Sequence, residues 1–167
     1  TKKYNIVSKE LQLYSTALRQ ADFLSEFLQY CRIIESYMNS HKMDKWIEFV
    51  PSKIDEIEKF NFGYIKITDI GGNNAKNLLL LYKKKAIKRI KFLKEKYSTN
   101  EKIVEYFYKE LRCGIAHGVK IKKQDFHIDY FSIKEDTYVM KLLSRIFIHE
   151  KMQQTHSIVG LDEKNMK

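Results

Sequence analysis

The sequence predicts an all-α protein, an up-and-down bundle of about four to five main helices. Three observations carry this expectation. Apolar residues recur at three- and four-residue spacing along most of the chain, as in Leu24, Phe27, Leu28, Cys31, Ile34 and Met38, which places them on one stripe of a helix. One proline and six glycines punctuate 167 residues, too few for the many turns of an all-β chain. The 44% apolar and 31% charged fractions are those of an ordinary globular chain,, and the length suits a single domain, 1–167, with a real core. A short β-hairpin or strand is expected near 121–133.

Taken in order, residues 1–7 read as a flexible lead-in. A first helix begins at Ser8, with Leu11, Leu13, Tyr14, Ala17 and Leu18 marking its inner side. Asp22 can cap a second helix, because its side-chain oxygen accepts a free backbone N–H of the first turn. Glu26, Gln29, Arg32 and Glu35 lie beside that helix's apolar stripe or outward. Residues 39–49 read as a short helix or packed loop around Trp46, Ile47 and Phe49, and Pro51 as the opening of the next helix, since proline lacks only an N–H that the first turn leaves unbonded anyway. Phe62–Ile70 reads as a loop or short strand, and Gly71, Gly72, Asn73 and Asn74 as a turn. A long helix spans Asn73–Lys96, with Leu79, Tyr82, Ala86, Ile90 and Leu93 as its buried stripe. Ser98 followed by Glu101 fits a capping box, and the helix it opens buries Val104, Phe107, Tyr108 and Leu111 before reaching Arg112. Phe126–Ile133 has the alternation of a strand. A last helix starts at Glu135 or Asp136 and carries Val139, Leu142, Leu143, Ile146 and Phe147, and 153–167 read as a flexible polar tail.

Several function classes drop out. No apolar run approaches the ~20 residues that span a membrane, and the start lacks the apolar core of a signal peptide. Cys31 and Cys113 do not make a disulfide framework, so a reducing cytoplasm is the expected compartment. No Cys-x-x-Cys or His-x3-His pair offers a metal site, and no phosphate-binding glycine loop is present, so neither metal nor cofactor is expected. The first residue is not methionine, which admits a fragment of a longer protein. The formal charge of +10 suits a nucleic-acid partner, because basic surfaces attract phosphates. Lys84, Lys85, Lys88, Arg89 and Lys91 form a basic flank on the long helix, and Lys120 follows further on. These are the candidate RNA-binding residues, contacts of a kind that position a backbone without reading its sequence.

The chemistry concentrates in Leu111-Arg-Cys-Gly-Ile-Ala-His-Gly118. Arg112 and His117 stand five apart, roughly 140° around an ideal helix. They converge only if the helix ends there, and Gly114 and Gly118 tolerate the turn that would end it. This stretch resembles the Arg-x(4–6)-His signature of the HEPN superfamily, placed at the end of a late helix in a small helical bundle. Ala17-Leu-Arg-Gln-Ala-Asp-Phe-Leu-Ser-Glu-Phe-Leu-Gln-Tyr-Cys-Arg-Ile-Ile-Glu35 resembles an early helix of several bacterial HEPN subfamilies, in which Glu35 would help structure the bundle. The resemblance covers roughly residues 10–150.

That resemblance implies a metal-independent endoribonuclease acting in anti-phage defence or a toxin–antitoxin system, with an antitoxin or attached defence domains as further partners. It also implies a homodimer, in which two motifs meet across a two-fold interface. The residue types suit the reaction. Histidine can exchange a proton near neutrality, and arginine offers a permanently charged fork to phosphate oxygens. RNA supplies its own 2′-hydroxyl nucleophile, so cleavage leaves a 2′,3′-cyclic phosphate and a 5′-hydroxyl. One position departs from the pattern: active members often carry Asn, Asp or His after the motif arginine, and here it is Cys113, a weaker hydrogen-bond partner. The alternative is a non-catalytic HEPN-like module that binds RNA, nucleotides or a partner, or dimerises a larger defence protein. A third reading is a helical structural protein with a chance motif. His127, Asp129 and Tyr130 are candidates to line the same cleft, whereas His41, His149 and His156 read as surface positions.

Overall fold

The structure, a computed structural model, describes residues 8–60, 72–117 and 130–164. Among these residues all regular secondary structure is helical, so the protein is an all-α bundle. The helices are α1 (Ser8–Ala17), α2 (Phe23–Met38), α3 (Met43–Lys59), α4 (Gly72–Tyr97) and α5 (Asn100–Glu105). A π-helical turn (Tyr106–Arg112) continues α5 and leads into the short α6 (Cys113–Ala116), and the long α7 (Tyr130–Lys164) closes the fold.

α7 is the hub. It packs against α2 and α4 most extensively and touches α3 and α1, while α1 lies along α2 and α3 lies along α5. The core draws Phe27, Tyr30, Ile33 and Ile34 from α2, and Trp46, Val50, Ile54 and Ile57 from α3. Ala86, Ile90 and Leu93 enter it from α4, and Met140, Leu143 and Phe147 from α7. Each set has the helical spacing that puts its members on one face, and burying such stripes against one another is the main stabilising term.

Sequence signals placed some helix ends correctly. Asp22 caps α2, its Oδ1 accepting from the Ser25 N–H at 2.9 Å,. α2 ends at Asn39, which adopts a left-handed backbone (φ 49°) and donates back to the last turn, a conformation asparagine tolerates. The cap of α5 is shifted by one residue from the expected Ser98. Thr99 accepts from the Lys102 N–H, and Ser98 takes φ 66° in the connection.

Other expectations are corrected. Pro51 does not open a helix but lies buried inside α3. The stripe Trp46, Val50, Ile54 and Ile57 is continuous across it, so the core selects one helix although proline removes a backbone hydrogen bond there. Gly72, Asn73 and Asn74 belong to α4 rather than to a turn, while Gly71 and 61–70 lie outside the described residues. The strand near 121–133 is not found where it can be checked: Tyr130–Ile133 are already helical, and 121–129 lie outside the described residues. Ile133, Asp136, Thr137 and Met140 are all buried, a helical set that recruits Ile133 to α7 and overrides its strand-like local alternation. The last helix therefore starts before Glu135, and it continues through 153–164, the expected tail. Leu11 on α1 and Leu18 just past its end are exposed, whereas Glu10 is buried. The carboxylate Oε1 of Glu10 accepts from Ser36 Oγ and Lys151 Nζ, both at 2.6 Å, which offsets part of the cost of taking the charge out of water, while Oε2 is buried with no hydrogen-bond partner among the described residues,. No helix among the described residues is long and apolar enough to cross a membrane.

Candidate functional site

Arg112 is presented by an unusual piece of backbone. The Cys113 N–H reaches the carbonyl of Tyr108, five residues back, where an α-helix would close at four. Single π turns of this kind change the face on which the following residues emerge, and they occur frequently at functional sites. Phe107 and Leu111 still anchor the turn in the core, and the residue after Leu111 is turned toward α2. There Arg112 Nε donates to Glu35 Oε1 at 2.8 Å, and the guanidinium stacks over the Tyr108 ring at 5.6 Å. Both partners of the ion pair are partly buried, at 19% and 14% exposure. Burial alone would lower the Arg112 pKa, but the hydrogen bond and charge of Glu35, with a weaker contribution from the Cys113 thiol, raise it, so the side chain is held cationic,.

Tyr108 is the floor of this arrangement. Its hydroxyl donates to the His41 carbonyl at 2.8 Å, and its ring meets the edge of the buried Trp46 at 5.7 Å. Cys31, one helical turn before Glu35, is completely buried, and burial followed by the Glu35 charge pushes its thiol well up. An apolar interior thus backs the Arg112–Glu35 pair and fixes its orientation.

His117 is the C-cap of α6, with φ −92° and ψ 3°, and its N–H donates to the Cys113 carbonyl at 3.1 Å. The helix ends where the sequence required it to end. Gly114 is not the turn, however. It is helical, and a Cβ built on it meets nothing within 4 Å; Gly118 lies outside the described residues. The imidazole is exposed, and no hydrogen bond joins it to Arg112 among the described contacts.

The predicted RNA-binding residues divide. Lys84, Lys85, Lys88 and Lys91 are exposed on α4, with Lys85 lying over the Tyr138 ring at 4.9 Å. Arg89 is not part of that flank. It is buried, its Nε and Nη2 donating to the two oxygens of Asp136 at 2.7 and 3.0 Å. Tyr106 donates to the same carboxylate at 2.7 Å. Residue 89 sits one turn before Leu93 on the inner face, so spacing from the lysines misplaced it. Lys120, His127 and Asp129 lie outside the described residues. The structure also does not bring α4's lysines to the motif arginine: α4 packs on α3, α5 and α7, whereas Arg112 meets α2.

Sequence reasoning left the role of Glu35 between bundle structure and a surface carboxylate, and it missed Tyr108 as the support of Arg112. Residues 77 apart in sequence carry no local signal of an ion pair. Among the described residues no group of three His, Cys, Asp or Glu side chains is clustered as metal ligands are.

No curated protein and no solved structure matches the chain. A family model described as methylamine utilization protein MauJ matches residues 11–149, and since that span is most of the chain, the protein belongs to the MauJ family.

Proposed function

We propose that the protein is a HEPN-type, metal-independent endoribonuclease that works as a homodimer in the cytoplasm, in anti-phage defence or a toxin–antitoxin system. The observation that carries the reading is the presentation of the motif pair. Arg112 is fixed by Glu35 and Tyr108 at the end of a π turn, and His117 stands exposed where the following helix ends. Glu35 takes Nε and leaves the two terminal nitrogens without a carboxylate partner among the described residues, one of the edges a guanidinium can use for a bidentate phosphate contact. The MauJ match also runs over nearly the span of the HEPN resemblance.

In this reading Arg112 binds the scissile phosphate and stabilises the charge that develops on it. His117 takes the proton from the 2′-hydroxyl or gives one to the leaving 5′-oxygen. Each chain contributes one such pair, so acid and base come from two copies related by a two-fold axis.

The second reading is a non-catalytic module that binds RNA, nucleotides or a partner protein. Two observations favour it: the weak thiol donor Cys113 beside Arg112, and a family description that concerns methylamine utilization rather than nucleases. Incubating the protein with mixed single-stranded RNA in EDTA, beside His117→Ala at matched folding, separates the two. Cleavage by the wild type alone, with cyclic-phosphate ends, is expected. Silence from both proteins at high concentration would leave the binding module as the better reading.

A further inference from the structure

Behind the Arg112–Glu35 pair, the C-terminal end of α2, the start of α1 and part of α7 enclose an open groove of about 750 Å³, within the size range of small-ligand sites. Its lining mixes polar and apolar surface: the cations Lys9, Arg32 and Lys151 share it with the carboxylates Glu10 and Glu35, with Leu13 and Tyr37, and with Asn39, Ser40 and His41.

The two carboxylates in the lining are already engaged. Glu10 accepts from Lys151 and Ser36, and Glu35 accepts from Arg112. Lys9 and Arg32 have no carboxylate partner among the described residues; Arg32 donates only to the neutral Gln29 amide, at 3.3 Å. The groove therefore presents cations whose charge is not cancelled locally.

It is also continuous with the motif. Glu35 belongs to both the groove wall and the Arg112 ion pair. The backbone carbonyl of His41, which also lines the groove, accepts from the hydroxyl of Tyr108, the ring on which Arg112 lies. The groove thus shares two of its lining residues with the support of the motif arginine.

From this we infer that the groove is a subsite for the RNA strand flanking the phosphate at Arg112, with Arg32 and Lys9 contacting backbone phosphates and Asn39 and Ser40 offering hydrogen bonds to the nucleotide between them. The inference rests on the reading of Arg112 as the phosphate-binding residue. It moves the strand path away from the α4 lysines, none of which lines the groove.

The test is binding of an uncleavable 2′-O-methyl oligoribonucleotide, followed by fluorescence anisotropy across a salt series. A long strand is compared with a dinucleotide, for wild type, Arg32→Glu, Lys9→Glu, Arg32→Lys and Arg112→Ala, each checked by circular dichroism. For the long strand, Arg32→Glu and Lys9→Glu are each expected to weaken binding several-fold and to flatten the salt slope by about 1. Their loss should be larger for the long strand than for the dinucleotide, and Arg32→Lys should recover the slope. Wild-type affinity and slope in both charge reversals, with binding lost in Arg112→Ala, would overturn the subsite and leave the motif reading intact. Unchanged binding in Arg112→Ala as well would overturn both.

Discussion

Two arginines in this protein meet a carboxylate on another helix, and they do so in different ways. Arg89, on α4, is 7% exposed and grips both oxygens of a completely buried Asp136 from α7. Tyr106 completes the shell around that carboxylate. Arg112 gives only Nε to Glu35 and stays within reach of solvent. The first arrangement spends the guanidinium fork on a buried carboxylate, and the second fixes only Nε on a carboxylate. Two arginines can therefore both be tied to the fold and still differ in how many of their donors a carboxylate has already taken.

The Arg89 centre also bears on Arg112, because Tyr106 opens the π turn that Arg112 closes. Burial pushes the Asp136 carboxyl above the ordinary aspartate value, and the hydrogen bonds from Arg89 and Tyr106 oppose that shift without cancelling it. Burial and the Asp136 charge push the Tyr106 hydroxyl well above the usual phenol range, so it remains a donor throughout.

The largest expected effect comes from breaking this centre. Arg89→Met leaves Asp136 buried without its cation and should lower stability by about 3–5 kcal/mol, measured by urea unfolding. A double change, Arg89→Met with Asp136→Leu, should recover most of that loss. If Arg89→Met instead unfolds like wild type but loses RNA affinity, Arg89 belongs with the α4 lysines after all and the contrast between the two arginines collapses.

Arg112→Ala comes next. It strands a carboxylate that is only partly buried, so the stability cost should be about 1–3 kcal/mol, below that of Arg89→Met. RNA cleavage or binding should be lost. Glu35→Gln sharpens the same point: an acceptor for Nε survives while the charge does not, so the fold should hold and activity should fall. A larger stability loss for Arg112→Ala than for Arg89→Met would reverse the assignment of roles.

A third ion pair gives a pH-dependent comparison. Burial raises the Glu10 pKa, but the hydrogen bonds from Lys151 and Ser36 lower it further, so its net position is below the ordinary glutamate value. The hydrogen bond from Lys94 likewise lowers Asp55, which is more exposed. A carboxylate with a depressed folded pKa contributes stability above its unfolded pKa, and that stability is lost as pH falls through the folded one. Melting temperature should therefore drop as pH falls below about 4.5, the ordinary glutamate value. The drop should be shallower in Glu10→Gln than in wild type, whereas Asp55→Asn should change the profile less because its pair faces solvent.

The smallest effect is expected at Gly114. It is helical, and a side chain there would meet open space, so Gly114→Ala should raise stability by about 0.5–1 kcal/mol, read by the same urea titration. Destabilisation would mean that the Arg112–His117 segment needs a backbone freedom its helical conformation does not display.

The helices were legible wherever the apolar spacing was long and regular. α2 and α4 followed from their stripes, and Asp22 from its capping chemistry. The errors fall where local and global preferences compete. Pro51 reads locally as a helix start, but the stripe from Trp46 to Ile57 needs one continuous helix. Tyr130–Ile133 read locally as strand, but Ile133 is wanted on the inner face of α7. Arg89 sits among lysines in the chain and points the other way in space.

By itself, the sequence determined the all-α class, the main helix stripes, and the position of Arg112 and His117 at a helix end. These depend on residue spacing within a few turns, which the chain carries locally. Only the tertiary structure decided which cation is buried, that Glu35 is the partner of Arg112, and that Tyr108 lies beneath it. Those facts depend on which helix faces which, and that is set by the packing of stripes far apart in the chain, with α7 as their common surface. The π turn belongs to the same class. Nothing in Tyr106–Arg112 announces it, and it accompanies Tyr106, Phe107 and Leu111 each meeting a different part of the core while Arg112 reaches Glu35.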